Sequence, residues 1–226
     1  MTDAIKIDVW SDIACPWCYI GKRNLEKGLS DASRDDDAPA VEVVYHSFEL
    51  SPDTPVDFDG GEAEYLATHK GVSTEQAQQM LDRVTGVAAD AGLEYRFDLL
   101  KHTNTVKAHE LLHFAKERGR QLQLAERLMS AYFTEGRNLG LEGELVDLAG
   151  EAGLDRDAAR DALQSGRYLA AVHADQAQAS AYGINGVPFF VIDGKYGVSG
   201  AQPADAFAQI VRQVWEERRE GAAVNA

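Results

Sequence analysis

The sequence predicts an α/β fold in which a β-α-β unit and a later α-β-β-α unit are separated by a large all-helical insertion. Three observations carry this prediction. Strand-like sequence stands at both ends of the chain, as an apolar–polar alternation over residues 5–10 and as an apolar run over 189–192. Residues 61–183 follow helical periodicity, and a Cys-Pro-Trp-Cys motif stands where the first strand gives way to a helix. A chain of 226 residues, 45% hydrophobic, is long enough for one core with a dependent subdomain.

The first unit is predicted from residues 5–48. Residues 5–10 alternate apolar and polar side chains, which is typical of a half-buried strand. From position 16 to about 29 the apolar spacing is helical, and an acidic loop at 31–39 leads to a second strand-like run over 41–48. This order predicts that the two cysteines lie at the strand-to-helix junction.

The middle of the chain is predicted to be helical. Ser73 and Gln76 have capping-box spacing and begin a helix that Gly92 ends. Its predicted apolar face comprises Ala77, Met80, Leu81, Val84, Ala88 and Ala91. Further helices are predicted over 104–118, 121–135, 144–152 and 155–164, followed by a longer one that ends near residue 182.

The last unit is predicted from a return of strand-like sequence at 189–192. Asp193-Gly194 is a favoured hairpin dipeptide, and a second strand follows over 196–199. Pro203 then opens a final helix, with a frayed tail expected at 221–226. The predicted buried face of this helix comprises Ala206, Phe207, Ile210, Val211, Val214 and Trp215.

These units predict two domains. Residues 1–60 and 184–226 form the first, the helix around 167–183 bridges back to it, and residues 61–166 form the inserted helical domain.

Charge and composition restrict the function classes. The net charge of −15 repels phosphate backbones and anionic lipid, so we expect neither nucleic acid nor membrane partners. The opening residues lack an export signal, and no stretch approaches the roughly 20 apolar residues of a membrane span. We therefore expect a cytoplasmic protein, either a monomer or a homodimer.

The cysteine pair is the strongest chemical signal. Cys15 and Cys18 share one face of the predicted helix, a spacing from which a disulfide forms and breaks in place. The helix N-terminus favours a thiolate at Cys15, so Cys15 is the predicted nucleophile and Cys18 the resolving thiol. Pro16 pre-sets the helix, and Trp17 adds apolar surface for substrate. No cofactor is expected beyond the redox-active disulfide itself.

Two alternative interpretations of the pair stay open. The cysteines are half of a zinc site that His109 and His113 complete, or they are two small buried hydrophobic residues. The chain offers no second cysteine pair, and a strand-to-helix C-x-x-C favours redox chemistry, so no metal is predicted.

Further candidates surround this motif. Pro188 precedes the third predicted strand, where a proline is tolerated in either isomer. Asp12 and Glu49 stand at strand ends and are candidate proton relays to Cys18, with loop solvation as the alternative. The helix predicted to begin near residue 104 carries two more candidates. Their structural interpretation is that Asn104 is the helix N-cap and that His109 is a partly exposed helix residue.

The chain resembles the DsbA-like thioredoxin-fold family, most closely its FrnE-like branch. The resemblance covers nearly the whole chain. It rests on the Cys-Pro-Trp-Cys motif and on Trp10-Ser11-Asp12, Tyr19-Ile20-Gly21-Lys22-Arg23, Phe48-Glu49-Leu50, Asn104-Thr105 with Ala108-His109, Ala131-Tyr132-Phe133, Gly186-Val187-Pro188-Phe189-Phe190 and Val198-Ser199-Gly200-Ala201-Gln202.

The resemblance implies a thioredoxin fold and a set of substrate contacts. Pro188 is implied to be a cis-proline facing the dithiol, with Val187 offering its backbone to an extended substrate. Asn104, Thr105 and His109 are implied to line the groove opposite the cysteines.

The predicted function is thiol–disulfide exchange on protein or small-molecule disulfides. One alternative is a glutathione-type isomerase or transferase of the kappa or 2-hydroxychromene-2-carboxylate isomerase type, although such relatives usually have serine where Cys15 stands. Another is a binding module without enzymatic activity or a zinc-bridged interaction domain. A reducing compartment favours reductase, isomerase or repair roles over bulk oxidation.

Overall fold

The computed structural model describes residues 4–33, 40–56 and 58–224, which form four strands and nine helices. The predicted order, β-α-β, a helical block and α-β-β-α, is confirmed. The elements are β1 (Ile5–Ser11), α1 (Pro16–Ala32), β2 (Val41–Ser47), α2 (Glu62–Lys70), α3 (Thr74–Asp90), α4 (Val106–Lys116), α5 (Gln121–Phe133), α6 (Glu142–Glu151), α7 (Arg156–Ser165), α8 (Leu169–Ala181), β3 (Phe189–Ile192), β4 (Tyr196–Ser199) and α9 (Ala204–Val224).

The four strands form one mixed sheet in the order β2-β1-β3-β4. β1 runs parallel to β2, with Val9 opposite Tyr45, and antiparallel to β3. β3 and β4 form the predicted hairpin, in which Asp193 and Gly194 both have positive φ values of 58° and 65°. Such values suit a tight hairpin turn. The central position of β1 places the chain that leads into Cys15 in the middle of the sheet.

Helices cover both faces of the sheet. On one face, β1 side chains pack with α1 and α9, in a core that includes Ile5, Ile7, Val9, Leu25, Phe207 and Val211. On the other face, Trp10 packs against Ala179 and Ile184 and its indole N–H donates to the backbone oxygen of Asp175 at 3.1 Å. The two faces therefore bury alternate residues of one strand, as the period of two requires.

The helical block shares its core with α1. Ile13, Cys15, Cys18, Tyr19 and Ile20 belong to the same buried apolar cluster as the inner faces of α3 to α7. The turn that carries the cysteines is therefore held between the sheet domain and the insertion. The division into residues 1–60 with 184–226 and an inserted domain of residues 61–166 remains a prediction.

Local signals in the sequence set several helix boundaries. The predicted capping box is confirmed, because Gln76 N–H donates to Ser73 Oγ at 3.2 Å and Ser73 N–H donates to Gln76 Oε1 at 3.0 Å. α3 buries Ala77, Leu81, Val84 and Ala88 as predicted. Met80, which belongs to the same predicted apolar stripe, is 43% exposed.

Three further details differ from the sequence prediction. α2 forms a separate helix that the general helical signal did not delimit. α9 continues to Val224, so residues 221–224 are helical, whereas 225–226 lie outside the described residues. The first residues of the predicted 31–39 loop belong to α1, and 34–39 lie outside the described residues. Among the helices described, none has the length and apolarity needed to cross a membrane.

Candidate active site

The turn between β1 and α1 holds Cys15 at the start of the helix. Cys15 is the N-cap residue, with an extended backbone (φ −88°, ψ 114°), and Pro16 occupies the first helical turn. The Cys15 N–H donates to Asp12 O at 3.2 Å, and the Cys18 N–H donates to Cys15 O at 3.0 Å. Pro16 has no N–H to leave unpaired at this helix end. Cys15 therefore stands at the positive end of the α1 dipole, and Cys18 lies one turn inside.

The surroundings of Cys18 disfavour its thiolate form. Both cysteines are unbonded and nearly covered, with 4% of Cys15 and 2% of Cys18 exposed, so exposure alone does not rank them. Burial, followed by the neighbouring Cys15 thiol, raises the pKa of Cys18 well above its usual range. The Ser11 hydroxyl and the Asp12 N–H face Cys18 and offset this increase only in part.

The loop before β3 faces Cys15 from the other side. The Cys15 thiol donates to the backbone oxygen of Val187, with 3.7 Å between Sγ and O. The Val187–Pro188 peptide bond is cis, as the family resemblance implies. Gly21 on α1 permits this approach, because a Cβ atom there would lie 2.9 Å from Pro188 Cγ. The two segments identified in the sequence thus meet at the cysteine.

Asp12 connects the cysteine turn to its surroundings. Its Oδ1 accepts from Ala14 N–H at 3.2 Å, and its Oδ2 accepts from Leu50 N–H at 2.8 Å. His109 Nε2 lies 3.4 Å from Oδ1. Burial by itself raises the pKa of Asp12, but the His109 contact and the two N–H donors outweigh it and hold this pKa below its ordinary value. Asp12 is therefore a buried, ionised carboxylate.

The candidate residues at the start of α4 lie in different places, because Thr105 lines the cleft whereas His109 is buried. Thr105, the N-cap of α4, lines the cleft described below. Asn104 Nδ2 donates to Pro52 O at 2.8 Å, and its Oδ1 accepts from Val106 N–H at 2.9 Å, so it supports the helix start next to the N-cap. His109 has no exposed surface, and its Nδ1 has no hydrogen-bond partner among the described residues.

A cleft of about 480 Å³ opens beside Cys15 on the side of the helical insertion. Of the residues predicted from the sequence, it is lined by Asp12, Cys15, Pro16, Trp17 and Thr105. Trp17 is 41% exposed. Val187, Pro188, Asn104, His109 and Glu49 are not among the described residues of the cleft lining.

Sequence reasoning missed the opposite wall of this cleft. It is formed by α2, α3 and residues 102–103, with Lys70 and Arg83 among the lining side chains. There the ring of His102 stacks on Tyr65 with 3.3 Å between centroids, and its Nδ1 lies 2.8 Å from Glu62 Oε2. These residues are brought together only by tertiary packing, and no short spacing in the sequence marks them.

The remaining candidates are engaged elsewhere. Glu49 accepts from the side-chain amide of Gln176 on α8 at 2.8 Å. His113 Nε2 lies 3.1 Å from Ser47 Oγ and 3.2 Å from Asp175 Oδ2. Within the described ranges, no three His, Cys, Asp or Glu side chains gather as a metal site. The arrangement in which His109 and His113 complete a zinc site with the cysteines is therefore not supported.

Two comparisons with known proteins concern the sequence of this chain. The family model of the DSBA-like thioredoxin domain matches residues 6–212. An uncharacterized protein of Bacillus subtilis strain 168, YwbO, is 30% identical over 212 residues, which cover 92% of this chain and 96% of that protein.

Solved structures agree in fold. A probable DsbA oxidoreductase from Streptomyces coelicolor is 43% identical, with a TM-score of 0.86, covering 94% of this chain and 91% of that one. The cytosolic disulfide reductase DsbM from Pseudomonas aeruginosa is 19% identical, with a TM-score of 0.65 and coverages of 92% and 98%. A 2-hydroxychromene-2-carboxylate isomerase is 15% identical, with a TM-score of 0.69 and coverages of 98% and 100%. The last two likenesses concern the fold alone.

Proposed function

The chain belongs to the family of DSBA-like thioredoxin domains, and from that premise we propose that it exchanges thiols and disulfides through Cys15 and Cys18. One observation carries the proposal. The Cys15 thiol stands at the N-terminus of α1 and faces the Val187 backbone oxygen at 3.7 Å, while Cys18 lies buried one turn behind it. This geometry supports the assignment of substrate attack to the first thiol and of substrate release to the second.

The proposed reaction has two exchange steps. The Cys15 thiolate attacks one sulfur of a substrate disulfide, forms a mixed disulfide and releases the other substrate sulfur as a thiolate. Cys18 then loses its proton to that thiolate or to water and attacks Cys15 Sγ. The Cys15–Cys18 disulfide forms, and the second substrate thiol leaves. Two electrons pass to the substrate, and an external thiol or dithiol returns the protein to its dithiol form.

The high pKa of Cys18 suits the second role. A thiol that stays protonated at neutral pH does not compete with Cys15 for the incoming disulfide. It acts once the mixed disulfide has formed beside it, where proximity compensates for the small thiolate fraction.

We assign substrate contacts to both sides of Cys15. On the sheet side, Val187 and Pro188 offer backbone to an extended substrate, as an added strand would use it. On the insertion side, Pro16, the exposed ring of Trp17 and Thr105 line the cleft. The contacts of Asn104 and the burial of His109 favour supporting roles for these two residues rather than direct contact with substrate.

Asp12 is better suited to positioning than to proton relay. A carboxylate whose pKa is held below its ordinary value is a weak proton acceptor. Its hydrogen bonds to the Ala14 and Leu50 N–H groups instead fix the turn that carries Cys15. Glu49, the other relay candidate, is already paired with Gln176.

A second candidate function is the glutathione-type isomerase or transferase activity. One structure of the fold-related reductase DsbM is described as a complex with GSH, and the isomerase shares the fold. The presence of both Cys15 and Cys18 favours the dithiol cycle, which needs no small thiol to resolve the mixed disulfide. We place the reaction in the cytoplasm and assign it a reductase, isomerase or repair direction. The description of DsbM as a cytosolic reductase supports this placement.

Reduction of insulin disulfides by single-cysteine variants tests the proposal. The chain holds only two cysteines, so each variant reports on one thiol. We expect Cys15→Ser to fall to the uncatalysed rate, and Cys18→Ser to accumulate a mixed disulfide on Cys15 that mass spectrometry detects. Turnover by Cys15→Ser, or adducts on Cys18, would contradict the assignment. Full turnover by Cys18→Ser with a small thiol as co-reactant favours the glutathione-type alternative.

A further inference from the structure

We propose that the cleft beside Cys15 binds small organic disulfides that carry a carboxylate, with Lys70 and Arg83 as the groups that select the charge. This inference rests on the proposed function and names a substrate class for it. The site differs from the Val187 side of Cys15, because neither Val187 nor Pro188 is among the described residues of the cleft lining.

Two cations at the cleft are available for a ligand. Lys70 ends α2 and Arg83 lies in α3, and both side chains are exposed and line the cleft. Neither forms an ion pair within the described part of the chain, although the protein carries a net charge of −15. In a chain so rich in acidic side chains, two such cations in the wall of the cleft that Cys15 lines attract an anion.

The acidic groups of the cleft do not cancel this attraction. Glu62 is held 2.8 Å from His102 Nδ1, and most of its side chain is buried. Asp12 is buried and already accepts from Ala14 and Leu50 N–H groups. The two carboxylates therefore lie in the wall with their partners, whereas Lys70 and Arg83 project into solvent.

The rest of the cleft suits an apolar body. Trp17, Met80 and Leu50 line it and are 41%, 43% and 45% exposed. Three large, partly exposed apolar side chains around one opening favour an apolar ligand group. A volume of about 480 Å³ lies in the range for ligands of small-molecule size. The ligand that fits this cleft thus has an apolar or aromatic group near Cys15 and a carboxylate that contacts Lys70 and Arg83.

The chemical step is the exchange already proposed, written for a symmetrical aromatic disulfide. Cys15 takes one half as a mixed disulfide and releases the other as a thiolate. Cys18 then closes the Cys15–Cys18 disulfide and releases the second half. One protein dithiol reduces one probe molecule to two thiols, so the released thiols are counted by absorbance.

The test compares two aromatic disulfides, dithiobis(nitrobenzoate), which carries two carboxylates, and dithiodipyridine, which carries none. Each is mixed with the pre-reduced full-length protein, and the second-order rate constant is measured by stopped flow. The test variant is K70E/R83E. The matched control, K116E/R120E, makes the same charge change at exposed cations, Lys116 and Arg120, that are not among the described residues of the cleft lining.

We expect K70E/R83E to react about tenfold more slowly with the anionic probe, since each weak ion pair contributes a few-fold. Its rate with the neutral probe stays within about twofold of wild type, as do both rates of the control. Added salt reduces the preference of the wild type for the anion and leaves that of K70E/R83E nearly unchanged.

The outcomes separate this inference from the proposed function. If the wild type reduces neither probe to two thiols, the proposed function fails. If it reduces both, and K70E/R83E slows both equally, slows neither, or behaves like the control, the cleft does not select carboxylates and the inference is overturned. Circular dichroism of each variant confirms that the exposed substitutions leave the fold intact.

Discussion

Helix α4 presents two histidines, one turn apart, to two buried aspartates on different sides of the molecule. His109 lies 3.4 Å from Asp12 at the cysteine turn, and His113 lies 3.2 Å from Asp175 on α8. Both pairs join a histidine of α4 to an aspartate. They differ in how completely their polar atoms are satisfied.

The Asp175 pair is saturated. Its Oδ1 lies 2.9 Å from His46 Nδ1, and its Oδ2 accepts from Ser47 N–H at 2.8 Å as well as facing His113. The other ring nitrogen of His46, Nε2, lies 2.7 Å from Oδ1 of Asp8. This network joins β1, β2, α4 and α8, and its members stand apart from the described lining of the cleft. This network of hydrogen bonds and ion pairs links the helical insertion to the sheet and has a structural role.

The Asp12 pair is incomplete. The His109 contact is long, and its Nδ1 is buried without a partner among the described residues. An unpaired buried nitrogen costs about 1–3 kcal/mol. Through His113, α4 joins the hydrogen-bond network of the sheet, and through His109 it contacts the turn that carries the cysteines.

The largest expected effect in this comparison belongs to Asp175→Asn. The amide turns an N–H group toward existing donors, so we expect the free energy of unfolding to fall by about 3 kcal/mol. Denaturant unfolding measures this loss. The rate at which the folded variant reduces dithiodipyridine should match wild type. Asp161→Asn, an exposed aspartate on α7, is the control and should change stability by less than about 0.5 kcal/mol.

Acid sensitivity should follow the same network. Burial raises the pKa of Asp175, but hydrogen bonds from His113, His46 and Ser47 outweigh it, and the result lies below the ordinary 3.8. The native state then binds fewer protons than the unfolded state, so this stability is present above about pH 4 and is lost as pH falls through the lowered value. Unfolding measured from pH 6 downward should show a flatter decline for Asp175→Asn than for Asp161→Asn. Parallel curves would exclude Asp175 as a source of acid sensitivity.

A smaller and different effect is expected of Asp12→Asn. One of the two N–H partners, Ala14 or Leu50, loses its acceptor, which costs about 1–2 kcal/mol. The variant also removes a negative charge from the turn that carries Cys15, so we expect the Cys18 thiolate to form more readily and the mixed disulfide on Cys15 to resolve a few-fold faster. Rapid-quench mass spectrometry follows that step. An unchanged or slower step would show that Asp12 acts on stability alone.

How far the sequence predicts this molecule depends on the range of each signal. The β1–α1 turn, the Ser73 capping box and the hairpin at Asp193 are local, and the sequence predicts each of them. Met80 has helical spacing with a buried face yet is exposed at the cleft, because periodicity does not tell which partner a face meets.

Long-range pairs escape sequence reasoning for the same reason. His109 and Asp12 are 97 residues apart, and His46 and Asp175 are 129 apart. Neither spacing marks a contact. The cysteine pair is visible in the sequence because its chemistry needs only one helical turn.

The central claim, that Cys15 attacks and Cys18 resolves, is tested most directly by timed alkylation of the reduced protein. Iodoacetamide is added at neutral pH, the reaction is quenched at intervals, and peptide mass spectrometry measures the modified fraction of each cysteine. The position of Cys15 at the α1 N-terminus and the raised pKa of Cys18 predict that Cys15 is modified first and Cys18 hardly at all. Faster or equal modification of Cys18 would contradict the claim.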